Sequence, residues 1–237
     1  MTDFATNQLG QPIGFAVPNW KPVPRPPKMS MEGRLVRLEV ANPMMHAPDL
    51  FEAFAADREN RIWTYLPYGP FASAAEVEIW MHETCTGDDP MFFTIIERAT
   101  GRALGVASFL RIEPKVGVIE VGHINFAPVL QRTPHGTEAM FLMMCRVFDE
   151  LGYRRYEWKC DALNAPSYRA AERLGFVYEG TFRQATMYKG RNRDTSWYAI
   201  IDKDWPALKE AYEAWLNPDN FDADGEQRKK LSAFRRK

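Results

Sequence analysis

Residues 118–151 constrain the fold more than any other part of the chain. An alternating run, VIEVGHINF, runs into a polar loop, QRTPHG, and then into a long apolar stretch, TEAMFLMMCRVFDEL. The first segment has the period-two pattern of a strand, and the last has a helical one spanning about Thr137 to Leu151. A further strand pattern, RYEWKCDAL, follows. Strand, helix and strand in succession form a βαβ unit, which places the chain in the layered α/β class with helices covering sheet faces.

The flanking segments fit that frame. GRLVRLEV, Gly33 to Val40, alternates as a strand. In HAPDLFEAFAADREN, residues Leu50, Phe51, Phe54 and Ala55 share one helical face. An aromatic loop, WTYLPYGPF, separates this helix from a second, SAAEVEIWMHETC, whose Ser73 and Glu76 have the spacing of a capping box. MFFTIIERATGRALGVASFLRIE reads as a hairpin turning at Gly101. APSYRAAERLGF reads as a short helix closed by Gly175. Two strands, FVYEGTFRQATMYKG and RDTSWYAIID, meet near KGRN. A last helix, DWPALKEAYEAWL, has Asp204 as N-cap and Pro206 in its first turn.

Outside the body lie a proline-rich arm, residues 1–30, and a charged tail, residues 218–237, expected to fray; the domain proper is expected over 31–217. In the arm, Ile13, Phe15 and Trp20 give the chain apolar surface to lay on the body.

Composition removes several function classes. The chain has 237 residues, 46% of them hydrophobic, enough for a sizeable core. Its 30 basic and 31 acidic side chains nearly cancel, so no overall field draws nucleic acid or an anionic membrane. Cys85, Cys145 and Cys160 form no paired spacing, and His46, His82, His123 and His135 have no metal-ligand spacing, so neither disulfides nor a metal is expected. No run approaches the ~20 apolar residues of a membrane span, and the N-terminus lacks a signal-peptide pattern. The expected location is cytoplasmic.

A strand entering a helix through QRTPHG offers unpaired N–H groups at the positive end of a helix dipole, a setting that binds phosphate and that also arises where the loop only caps the helix. Gly136 permits close approach to the backbone, and Thr133 and Thr137 carry hydroxyls. The P-loop and dinucleotide-fold phosphate motifs, GxxxxGK[ST] and GxGxxG, are both missing, as are HExxH and GxSxG.

Two segments, QRTPHGTEAM (Gln131 to Met140) and NAPSYRAAERLGF (Asn164 to Phe176), carry a family resemblance. From Gly33 to about Leu216 the chain resembles the GNAT N-acetyltransferases, most like the branch of the ribosomal-protein N-terminal acetyltransferases RimJ and RimL. The family loop Q/R-x-x-G-x-G/A holds the pyrophosphate of coenzyme A; Gln131 and Gly136 fit its ends, and Pro134 stands where its first Gly belongs, removing one N–H donor. The second segment fits the family's N-x-x-S form. The resemblance implies a single GNAT-like domain with a mixed, largely antiparallel sheet of about seven strands, a central splay that receives the pantetheine, and helices on both faces.

It also implies an acetyl-CoA-dependent N-acetyltransferase, with no metal, acting by direct attack in a ternary complex on a primary amine of a small molecule or of a peptide or protein N-terminus. The aromatic loop, Trp63 to Phe71, resembles the part of this branch that helps form the acceptor side. Coenzyme contacts are expected from Gln131, Arg132, Thr133, His135, Gly136, Thr137, Asn164 and Ser167. Glu120, in an E-V-G that resembles the branch's Glu-x-Gly, is the candidate base; its alternatives are a strand Glu paired to an Arg, or a charge orienting the substrate ammonium. His123 is placed by strand alternation on the face opposite Glu120. Many members carry a tyrosine acid seven residues after the Asn, where this chain has Ala171, so Ser167 is the candidate donor to the leaving thiolate; its alternative role is to cap the helix, with Pro166 in the first turn. Lys189, Arg191 and Arg193 read as a solvated hairpin tip. A non-catalytic acyl-CoA sensor is the alternative reading, and a monomer or homodimer is expected.

Overall fold

A computed structural model of the protein describes residues 4–235. Its centre is an eight-stranded sheet in the order β3-β4-β5-β6-β7-β8-β10-β9. The strands are β3 (Met31–Glu32), β4 (Val36–Val40), β5 (Met91–Glu97), β6 (Ala103–Glu113), β7 (Val118–Phe126), β8 (Arg155–Asp161), β9 (Val177–Tyr188) and β10 (Arg191–Ile201). The eighth strand, beyond the seven or so expected, is the two-residue edge β3. Only β7 and β8 run parallel; every other pair is antiparallel.

Period-two burial divides the core between the two faces. Phe92, Ile96 and Val106 meet helix α1 (Pro43–Ala55) and helix α2 (Ala74–Thr84) through Leu50, Phe54, Val77, Trp80 and Met81. Phe93, Ile95, Phe109, Ile119 and Val121 turn the other way, toward α3 (Pro134–Cys145) and α5 (Trp205–Leu216). The short α4 (Ala165–Leu174) covers the same face beside β8, burying Ala171 and Leu174. Glu138 of α3 accepts from the amides of Arg34, Leu35 and Val36 at 3.1, 2.6 and 2.8 Å, which ties the helix to the start of β4.

Local chemistry sets the helix ends, some of them earlier than periodicity predicts. Asn42 caps α1 through Met45, and Pro43 occupies its first turn, three residues before His46. Thr133, not Thr137, opens α3: its Oγ1 accepts from the Gly136 amide at 3.2 Å, and Pro134 follows it. Ser73 caps α2 as expected, and the Glu76 carboxylate reaches back to the Ala72 amide. Gly175 ends α4 at φ 104°. Asp204 makes no side-chain cap to α5.

The two extensions are more ordered than their composition suggests. The arm opens with a hairpin, β1 (Phe4–Thr6) and β2 (Pro12–Gly14). Farther along, Trp20 donates to the Lys115 carbonyl at 2.8 Å and lies over Gly117, whose missing Cβ would fall 2.3 Å from the indole. Ile13 and Phe15 stay exposed. The tail does not fray over its described part: Asn220 clamps the Trp215 and Lys229 carbonyls, Leu231 is buried, and Arg235 donates to the last carbonyls of α4. Among the described residues no helix is long and apolar enough to cross a membrane.

Candidate active site

The middle of the sheet opens as a wedge. β7 and β8 pair at four positions, from Val118↔Arg155 to Val121↔Trp158, and then continue unpaired to Phe126 and Asp161. The cause lies in β7. Its register against β6 slips between Ser108↔Gly122 and Val106↔Asn125, and His123 adopts φ 50°. This is a bulge, which bends the strand and ends its pairing on one side. A Cβ at Gly122 would meet a Leu110 methyl at 2.9 Å, so a larger residue there would shift that side chain; the Gly122 carbonyl accepts from the Ser108 hydroxyl at 3.1 Å.

The bulge also overturns the alternation argument for His123. Instead of facing away from Glu120, its ring lies 5.0 Å from that of Phe92, on the same face as Glu120, and stacks at 5.8 Å on Tyr68. Its Nδ1 pairs with the Tyr68 hydroxyl at 3.1 Å. Burial and then the Arg193 charge push its pKa down to about 4, so the imidazole is neutral near pH 7 and a weak base.

On the opposite face, the loop before α3 presents backbone groups. The amides of Arg132, Thr133 and His135 have no partner among the described residues, and Arg132 takes φ 60°. They sit at the positive end of α3, a setting that suits a diphosphate. Pro134 contributes none. Gly136 is needed for packing, since a Cβ would fall 2.8 Å from the Leu130 carbonyl and 3.2 Å from the Phe126 ring. The side chains mostly hold the loop itself. Gln131 donates to the Phe126 carbonyl at 2.8 Å and the Thr133 hydroxyl to that of Leu130 at 2.7 Å. The buried Thr137 hydroxyl, expected to contact the coenzyme, instead donates to the Thr133 carbonyl and accepts from Arg173 at 2.7 Å. His135 lies 3.8 Å from Glu97.

Asn164 caps α4, its Oδ1 accepting from the Ser167 amide at 3.2 Å, while its Nδ2 stays free of partners among the described residues. The Ser167 hydroxyl accepts from Trp158 Nε1 at 3.0 Å and faces the Cys160 sulfur, whose pKa burial raises and this contact lowers. Ala171, at the position of the family's tyrosine, is fully buried.

Glu120 is on the other face from Ser167, because its register partner Glu157 and the Ser167-bonded Trp158 are successive residues of β8. The structure therefore does not bring the two candidate catalytic groups together but sets them on either side of the wedge. Glu120 accepts ion pairs from Arg111 at 2.8 Å and Lys159 at 2.9 Å. Lys159, its side chain 3% exposed, also meets Glu157 at 2.7 Å and lies 3.6 Å from the centre of the Trp197 ring. Arg155 links Glu157 to Glu179. Burial raises the pKa of Glu120 against the pull of Lys159 and Arg111. Glu157 moves down, since the bonds from Lys159 and Arg155 outweigh its burial.

Aromatic and hairpin residues close that side. Tyr65 donates to the Leu163 carbonyl at 3.0 Å. Trp63 is buried edge-on against Phe54 and Phe71. Tyr188 donates to the Asp161 carboxylate at 2.8 Å, and Lys189 to the Trp63 carbonyl at 2.8 Å. The tip residues are thus not uniformly solvated: Arg191 is exposed, but Lys189 bonds the aromatic loop and Arg193 buries its Nε.

Sequence reasoning missed Arg111, Lys159, Asp161, Tyr188 and Arg193. A signal existed for two of them. Arg155, Glu157, Lys159 and Asp161 recur every second residue, so one face of a central strand is wholly charged and must meet partners. Among the described residues no group of three or more His, Cys, Asp or Glu is placed to hold a metal ion.

Comparison with known proteins agrees with this geometry. The profile described as "Acetyltransferase (GNAT) domain" matches residues 37–177, more than half of the chain. A GCN5-related N-acetyltransferase from Brucella melitensis is 49% identical, with a TM-score of 0.90 over 92% of this chain and 99% of its own. A probable GNAT-family acetyltransferase from Chromobacterium violaceum is 38% identical, with a TM-score of 0.77 over 83% of this chain and 98% of its own. An uncharacterized N-acetyltransferase of Bacillus subtilis strain 168, YnaD, is 24% identical over 147 residues, 62% of this chain and 84% of that protein.

Proposed function

The chain belongs to the GNAT acetyltransferase family, and on that premise we propose that it is an acetyl-CoA-dependent N-acetyltransferase of the RimJ/RimL-like branch. Its acceptor is a primary amine of a small molecule or a peptide N-terminus, attacked directly within a ternary complex. The observation that carries this reading is the wedge: strands that stop pairing after Val121 and Trp158, with unpaired amides at one mouth and a charged, aromatic wall at the other.

In this reading the amides of Arg132, Thr133 and His135 hold the coenzyme diphosphate, with Gln131, Gly136 and Thr137 shaping the loop. Asn164 Nδ2 bonds the pantetheine arm. The Ser167 hydroxyl gives its proton toward the leaving sulfur. Glu120, its pKa raised by burial, receives the amine proton through water; Arg111 and Lys159 keep that carboxylate fixed in orientation. Alignment of the two substrates supplies much of the acceleration.

The buried Ala171 and the doubly paired Glu120 favour one second reading, an acyl-CoA sensor without turnover. Calorimetric titration with acetyl-CoA, beside desulfo-CoA and ATP, followed by thiol release over a panel of amines and N-terminal peptides, separates the two. Acetyl-CoA binding with turnover that falls at least ~100-fold in Glu120→Gln supports the enzyme and its base. Binding without turnover supports the sensor, and no binding sinks both.

A further inference from the structure

The hairpin β9–β10 directs one guanidinium into the wedge. Arg193 Cζ lies 5.9 Å from the centre of the Tyr188 ring. Arg193 lies opposite Thr186 of β9, and its charge reaches His123 of β7 and Cys160 of β8. Its Nε is buried without a hydrogen-bond partner among the described residues.

The carboxylates around it are committed elsewhere. Asp161 accepts from the Leu163 amide and the Tyr188 hydroxyl, both at 2.8 Å. Asp194 accepts from the Gln184 amide and the Asn192 side chain. Glu120 and Glu157 are neutralised by Arg111, Lys159 and Arg155. Among the described residues no carboxylate lies within ion-pair distance of Arg193. The contrast within one site is sharp: Arg111, Lys159 and Arg155 meet carboxylates, Lys189 is held by the Trp63 carbonyl, and Arg193 has neither kind of partner among the described residues. A partly desolvated guanidinium without a counter-charge is costly, and an anion arriving with a ligand would offset that cost.

We propose that Arg193 is an acceptor-specificity residue that pairs with an anionic group, a carboxylate or a phosphate, carried by the amine substrate. The planar fork of a guanidinium matches either oxyanion through two parallel bonds. Tyr188 flanks it and holds the Asp161 carboxylate by its hydroxyl at 2.8 Å, and the neutral His123 adds no charge of its own. The inference rests on the acetyltransferase reading and narrows its substrate class.

Matched acceptors test it: amino acids and dipeptides against their C-terminal amides, and phosphoethanolamine against ethanolamine. Thiol release gives kcat/KM, and calorimetry in the presence of coenzyme A gives binding without turnover. At least one acid is expected to exceed its neutral mate by about 10- to 100-fold, mainly through KM, as a charge-assisted pair provides. Whether carboxylates or phosphoethanolamine show that excess identifies the anion. In Arg193→Gln the ratio is expected to fall toward one, and Arg193→Lys to recover only part of it. Neutral mates equal to the acids, a ratio unchanged in both variants, or no anionic compound binding or reacting would overturn the proposal. Anion binding that depends on Arg193, without thiol release from any amine, would instead remove the acetyltransferase reading and leave the anion site standing.

Discussion

The two mouths of the wedge are built on opposite principles. The loop side is made of backbone: the amides of Arg132, Thr133 and His135 and the caps at Thr133 and Asn164 come from two short contiguous segments. The hairpin side is made of side chains drawn from distant positions, with Tyr68, His123, Asp161, Tyr188 and Arg193 meeting across the aromatic loop and four strands. A backbone site recognises what all its ligands share, because the N–H group is the same whatever residue bears it. A side-chain site can be retuned residue by residue, which suits the part of the reaction that differs between acceptors.

The largest break in that contrast is expected at Lys159. Lys159→Met leaves the buried register partners Glu120 and Glu157 facing each other without their shared cation. A loss of about 3–5 kcal/mol is expected by denaturant titration; a loss under about 1 kcal/mol would mean that the cluster contributes little.

Gly136→Ala strikes the backbone side. The new methyl would press on the Leu130 carbonyl and the Phe126 ring, displacing the start of α3. Acetyl-CoA affinity is expected to fall about 10-fold or more by calorimetry, the size of one or two lost amide contacts. Unchanged affinity would show that the helix start does not hold the coenzyme.

His123 sharpens the hairpin side through pH. Its folded pKa, about 4, lies below the ordinary value of 6.5, so the unfolded chain binds more protons between the two. Stability should therefore fall as pH drops from about 6.5 to 4, by about 2 kcal/mol more in the wild type than in His123→Gln. Parallel losses in both proteins would place the acid sensitivity elsewhere. The smallest effect is expected from Pro134→Ala, which returns one N–H to the loop and should tighten acetyl-CoA binding about 3- to 10-fold.

The legible parts were those whose causes are local. Ser73 and Gly175 act as predicted because a cap needs only its own turn. The start of α3 was misplaced by a few residues because the apolar pattern begins after the capping threonine and its proline. His123 was assigned the wrong face because alternation assumes an unbroken ladder, and the bulge that breaks it depends on how β6 pairs with β7. The tail looked frayed because charge density was visible, whereas the pocket that buries Leu231 was not.

By itself, then, the sequence determined the layered α/β class, the strand–loop–helix junction at residues 118–151 and the close of the short helix at Gly175, since each rests on periodicity or on the chemistry of adjacent residues. Tertiary structure alone decided where the sheet opens, which face Glu120 and His123 share, and that Lys159 is paired while Arg193 is not. Those outcomes follow from register and burial, which are set by residues far apart in the chain and which decide whether a charge meets water, a partner or neither.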